Sequence, residues 1–145
     1  MTTNKAIKII ARIEEGFKTE CKTREHSVII DQPEAAGGEN AGPSPLEYLF
    51  FSLAGCISAI GRIIANQQKL PLNGMDIEIS GELNTAGLLG KETGDRIGFQ
   101  NINASVKIDA DMSKKEKEEF LAEIDSRCPI SDNIANETPV NFKLG

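Results

Sequence analysis

The sequence predicts an α+β domain with antiparallel strand pairing, on three observations. Strand-like stretches come in runs and do not alternate with helices, which is the order of segregated elements. One long amphipathic stretch over residues 45–68 separates those runs. The 145 residues suit a single domain, residues 1–145, since domains commonly hold about 100–150. A chain of this size buries roughly two-thirds of the surface its unfolded form exposes, so its core needs neither disulfide nor metal.

Residues 6–13 alternate loosely, with Ile7, Ile9 and Ala11 on one side and Lys8 and Arg12 on the other. That pattern reads as a strand, and Glu15-Gly16 as a tight turn into a second strand over residues 17–22. Residues 27–31 read as a third strand. The next stretch, residues 32–45, holds three prolines and three glycines and is a loop. Its Gly37-Gly38 centre is either mobile or wrapped over something.

The helix signal follows. Ser44 supplies an N-cap and Pro45 a first helical position, while Glu47 lies in the first turn where the helix dipole favours an acid. Leu46, Phe50, Leu53, Ile57, Ile60 and Ile64 recur at the spacing of one helical face. The helix ends near Gln68, ahead of Lys69-Leu70-Pro71, and at about 30 Å it becomes the central core element. Beyond it, residues 75–83 and 99–110 alternate as two strands around a glycine-bearing turn. Ser113 and Glu116 form a capping box for a polar helix reaching to about Asp125. Ser131 is expected to cap a short helix over residues 132–136, and residues 139–144 to close the domain as a last strand.

Charge and composition narrow the function. Sixteen Lys and Arg against 22 Asp and Glu leave a net charge of −6. An acidic chain without a Lys/Arg stripe does not suit nucleic acid. No run reaches the ~18 uninterrupted apolar residues of a membrane span, and the N-terminal residues turn charged too early for an export signal. Three cysteines in such a chain fit a reducing, cytoplasmic compartment. The glycine loops match no nucleotide fingerprint, so no cofactor is expected.

The chemistry then rests on cysteines. Steps of 100° put Cys56 on the inward side of the helix near Leu53 and Ile60, where its position by itself reads first as that of a small apolar core residue. Ser52, Gly55, Cys56 and Ala59 also make a small-residue stripe that admits a close helix. Cys128 follows one helix, precedes Pro129 and lies beside Arg127. A helix N-terminus and a cation both favour a thiolate, and the alternative is an incidental loop cysteine. Cys21 reads as filler in the second strand and His26, the sole histidine, as a surface or capping residue. A zinc set of Cys21, Cys56, Cys128 and His26 lacks any close C-x₂₋₄-C pair, so no metal is expected.

Gly42-Pro43-Ser44-Pro45-Leu46-Glu47-Tyr48-Leu49, Leu53-Ala54-Gly55-Cys56, Gly98-Phe99-Gln100 and Arg127-Cys128-Pro129-Ile130-Ser131-Asp132-Asn133 resemble the OsmC/Ohr family. This is the osmotically inducible protein C and organic hydroperoxide resistance group, and the likeness covers residues 7–144. Its helical cysteine followed some 70 residues on by Cys-Pro-[Ile/Val]-Ser is a specific combination, and here the spacing is 72.

The resemblance implies an intertwined homodimer with antiparallel sheets packed on the long helix and two sites at the interface. It implies a thiol peroxidase in oxidative-stress defence, without metal or flavin. Cys56 would attack an organic hydroperoxide, Cys128 would resolve the sulfenic acid to a disulfide, and a dithiol would restore both. The characterised peroxidases place an Arg in the turn between the first two strands, where this chain has Glu14-Glu15-Gly16. They place a Glu ten residues before the cysteine, a position held here by Leu46. Glu47, nine before it, and Arg127, with Arg24 and Arg96 as further cations, are the residues available for those roles. The chain is thus more similar to the broader OsmC-like branch than to the hydroperoxidases proper. A second reading is a binding or carrier module that holds a small apolar or sulfur-containing ligand.

Overall fold

The computed structural model describes residues 3–145; Met1 and Thr2, where the stretch read against an export signal begins, lie outside them. The fold is α+β, as expected. The chain divides into two compact units, Met1–Leu49 and Phe50–Gly145.

In the first unit, β1 (Ile10–Ile13), β2 (Thr19–Thr23) and β3 (His26–Ile30) form an antiparallel sheet in that order. Gly16, at φ +74°, makes the left-handed turn between β1 and β2 that a residue with a Cβ resists. The first strand is shorter than expected. Its partner β2 turns back at Arg24-Glu25, so residues ahead of Ile10 have no ladder to join, and Thr23 Oγ1 donates to Lys8 O at 3.1 Å instead.

The loop after β3 is wrapped, and what it wraps is the carboxylate of Asp31. That residue is 1% exposed and accepts the backbone N–H groups of Gln32 at 2.8 Å, Glu39 at 3.2 Å and Ala41 at 3.0 Å. Its own N–H donates to Pro43 O at 3.1 Å, which closes the loop. Gly38 is required here, because a Cβ would overlap Gln32 O and lie 2.8 Å from Asp31 Oδ1.

Helix α1 (Pro45–Gln68) has the bounds its sequence predicts. Ser44 Oγ accepts the Glu47 N–H at 3.3 Å and Glu47 returns a carboxylate to the Ser44 N–H at 2.9 Å, a reciprocal capping box. At the other end Lys69 takes φ +56° and Leu70 N–H reaches back to Ala65 O at 2.9 Å, the six-to-one bond that closes a helix before Pro71.

In the second unit β4 (Leu72–Gly81) and β5 (Ile102–Ala110) pair antiparallel, followed by α2 (Lys114–Arg127) and α3 (Pro129–Ala135). The Ser113–Glu116 capping box is present as expected. Leu53, Ile57, Ile64 and Ala65 of α1 pack with Leu72, Ile108, Phe120, Ile124 and Cys128 into one core. By length and composition α1 would suit a membrane span, and the face it buries within the fold is carried by Leu53, Ile57, Gly61, Ile64 and Ala65.

The expected last strand over residues 139–144 is not formed. Val140 and Phe142 are exposed and Leu144 is wholly so, because an alternating sequence becomes a strand only when a sheet edge pairs with its backbone.

Candidate active site

Cys56 lies on α1 one turn beyond the buried Leu53 and one turn before Ile60, and is itself half-buried. This is the inward placement that its helical spacing predicts. Cys128 is 2% exposed and sits at the junction of α2 and α3. Its N–H donates to Asp125 O at 3.3 Å, while its Sγ accepts the Ser131 N–H at 3.3 Å.

That second bond corrects the expected end of the chain. The short helix starts at Pro129, not Asp132, and its cap is Cys128, not Ser131. Proline is favoured at the first helical position because its φ is already helical and it has no N–H to leave unsatisfied. Ser131 then falls two residues later, where its N–H is one of the unpaired donors that a cap satisfies. Its hydroxyl donates instead to Asp125 Oδ1 at 2.6 Å. The Cys-Pro step was the available signal for this arrangement.

The two thiols meet. Their sulfurs lie 2.7 Å apart in hydrogen-bond contact, and both are free cysteines. A disulfide bond is shorter, at about 2.05 Å, so the two sulfurs are in contact without being bonded. Burial pushes the Cys56 thiol above its ordinary range, and the hydrogen bond with Cys128 and that neighbour's negative charge push it the same way. A backbone N–H bond from Ile130 opposes them. Two thiols in contact do not ionise independently, since the first charge makes the second costly.

The other expected site residues stand elsewhere. Arg127 donates to Glu123 Oε2 at 3.0 Å and to Gln67 Oε1 at 3.0 Å, tying the end of α2 to α1 just before Cys128. Glu47 is engaged in the cap of α1, and the bonds from Ser44 hold its carboxyl below the usual range. Arg24 occupies the β2–β3 turn at φ +49°, and Arg96 is exposed in the connection between β4 and β5. The Glu14-Glu15-Gly16 turn is exposed, with Arg12 paired to Glu14 at 3.1 Å.

Cys21 pairs in register with Val28, and His26 opens β3 opposite Thr23. Among the described residues no three of His, Cys, Asp and Glu gather as metal ligands. A cleft of about 550 Å³ at the end of β4 and β5 is lined by Ser80, Glu82, Asn84, Gln100, Asn101 and Asn103, and neither thiol borders it. The backbone donors of Ile130 and Ser131 went unread in the sequence, because main-chain groups leave no residue-type signature.

A family model for OsmC-like protein matches residues 37–143. Among solved structures, the chain is similar to the OsmC-like protein from Mycoplasma pneumoniae, with a TM-score of 0.80 and 22% identity over 93% of this chain and 91% of that one. It is also similar to the organic hydroperoxide resistance protein OsmC from Legionella pneumophila, with a TM-score of 0.69 and 20% identity over 92% and 91%. The organic hydroperoxide resistance protein from Elizabethkingia anophelis gives 0.68 and 16% over 94% and 93%. No curated protein matches the chain.

Proposed function

Because the chain belongs to the OsmC-like protein family, we propose that it is a thiol-dependent peroxidase that reduces organic hydroperoxides through a Cys56–Cys128 cycle. The observation that carries this reading is the 2.7 Å contact between two free thiols 72 residues apart in sequence. A pair so placed can trap a sulfenic acid as a disulfide before it oxidises further. Cys56, the less buried of the two, is the peroxidatic residue and Cys128 the resolving one.

The Cys56 sulfur takes the distal oxygen of the hydroperoxide and the O–O bond breaks, leaving the alcohol. Cys128 displaces that oxygen as water, and a dithiol reduces the disulfide by exchange. The chemistry uses no metal and no flavin. Glu47 and Arg127 serve as positioning residues, the first by capping the helix that carries Cys56, the second by holding the end of α2 against α1.

The active form is a homodimer in the cytoplasm. Ile10, Ile13, Leu46, Leu49, Phe51 and Ile63 are exposed apolar side chains, and such surfaces in a folded chain mark an interface. Ser52, Gly55 and Ala59 stand exposed on α1 as the small stripe that a neighbouring helix would use. Residues 139–144, which form no strand here and leave Val140, Phe142 and Leu144 exposed, are a further apolar segment that a second copy would cover.

One observation favours the competing reading, a module that binds a small apolar or sulfur-containing ligand: burial raises the Cys56 thiol. Treating the reduced protein with one equivalent of an organic hydroperoxide and counting free thiols against time decides between them. The peroxidase loses two thiols per chain rapidly and regains them with a dithiol, and Cys56→Ser loses none. Thiols that persist in the parent protein exclude the cycle and leave the binding module.

A further inference from the structure

We infer that the dithiol enters at Cys56 when it reduces the Cys56–Cys128 disulfide, and that Cys128 departs as the thiolate. The inference rests on the peroxidase reading above and deepens it, by giving each sulfur its part in the reductive half of the cycle.

Burial carries it. A thiolate breaks a disulfide only by reaching one of its sulfurs, so access decides which sulfur is attacked. Cys128 is 2% exposed and shares the core with Leu53, Ile57, Phe120 and Ile124. Its own chain closes it off, so a second copy could add cover but never open a way in. Cys56 is only half-buried. The hydroperoxide must reach that same sulfur, so oxidant and reductant use one entrance.

The departing side is prepared as well. The Ser131 N–H donates to Cys128 Sγ at 3.3 Å, and such a donor binds a charged sulfur more strongly than a neutral one. The Ser131 hydroxyl donates to Asp125 Oδ1 at 2.6 Å, which holds that residue in place. Cys56 also has a main-chain donor, the Ile130 N–H, but burial and the contact with Cys128 outweigh it and hold that thiol above its ordinary range. A disulfide breaks faster toward the sulfur that carries the charge better.

The exchange proceeds in two steps. One thiolate of the dithiol bonds to Cys56 Sγ, the Cys56–Cys128 bond breaks, and its electron pair stays on Cys128. The second thiol of the reductant then attacks the reductant's own sulfur joined to Cys56, displacing Cys56 as a thiolate and leaving as a cyclic disulfide. The two protons that the dithiol sheds return to the two cysteines. In the reduced protein the sulfurs are 2.7 Å apart, so a Cys128 thiolate stands ready to re-form the bond and expel a monothiol. A second thiol on the same reductant completes the exchange ahead of that reversal, which is why a dithiol suits this pair.

The test needs no substitution. The parent protein is oxidised to the disulfide with diamide, which requires no peroxidase activity, and mixed rapidly with excess 2-mercaptoethanol. At a series of short times the reaction is quenched in acid, freed thiols are labelled with N-ethylmaleimide, and peptide mapping by mass spectrometry locates both groups. Extrapolation to zero time removes any adduct that has since migrated between the cysteines. Mercaptoethanol is expected on Cys56 and maleimide on Cys128, with the reverse pattern absent. Mercaptoethanol on Cys128, or divided equally between the two, overturns the inference and leaves the peroxidase cycle standing. A protein in which diamide forms no Cys56–Cys128 disulfide overturns both.

Discussion

Asp31 shows how much one side chain settles in this protein. Three backbone N–H groups converge on its carboxylate, and the bonds from Ala41 and Gln32 lead in holding it below its ordinary value of 3.8. A depressed carboxyl stabilises the fold in its ionised form. That contribution is complete above the unfolded value and is lost as pH falls through the lower folded one. Thermal melts from pH 7 down to pH 2 should therefore show an acid-side loss of stability for the parent. Asp31→Asn should melt lower at neutral pH, because an amide turns an NH₂ toward N–H donors, and should lose less on acidification. Equal acid-side losses in the two proteins would remove Asp31 as the cause. Nothing in Ser-Val-Ile-Ile-Asp distinguishes this aspartate from an ordinary strand end, since its partners are main-chain groups up to ten residues away.

At the scale of elements, local signals and packing have separate roles. The Ser113–Glu116 capping box is legible from residue type and spacing, whereas at α1 the sequence reading has Ser44 as the cap and Glu47 only as a first-turn acid, and the reciprocal bond between them comes from the structure. The span of α1 was readable too, since its length supplies several turns of apolar periodicity. The cap of α3 was not, because sulfur is an unusual cap and Ser131 looked the better one. Docking α2 on α1 depends on Ile124, fully buried among Leu53, Ile57 and Ile64 in the shared core. Truncating it leaves a cavity that the surroundings fill only in part. Ile124→Ala should cost about 2–5 kcal/mol in denaturant unfolding. A change below about 1 kcal/mol would mean that the core around the thiols closes up readily.

For the whole molecule, the exposed apolar surface is the main unpaired quantity. Phe142 is 94% exposed and Leu144 100%, at the end of a tail whose alternation suits a strand. If a second copy covers that tail, Phe142→Asp should shift sedimentation from dimer toward monomer and lower the melting temperature. The same change in a chain that remains dimeric would show that the tail lies outside the interface, leaving the exposed residues of β1 and α1 to form it. A monomeric parent would remove the dimer altogether.

The sequence by itself determined what depends on near neighbours. Residue spacing set the long helix, its N-cap, the antiparallel strand runs and the inward position of Cys56, because those follow from backbone geometry over a few residues. The expected strand over residues 139–144 failed for the complementary reason: alternation describes a strand's two faces but cannot supply the edge it must join. Only the tertiary structure decided that Cys128 reaches Cys56, that it caps α3 through its sulfur, and that Asp31 closes its loop. Each of these joins groups whose approach depends on the packing of other elements or the path of a loop. No local rule for residue type or period contains that information.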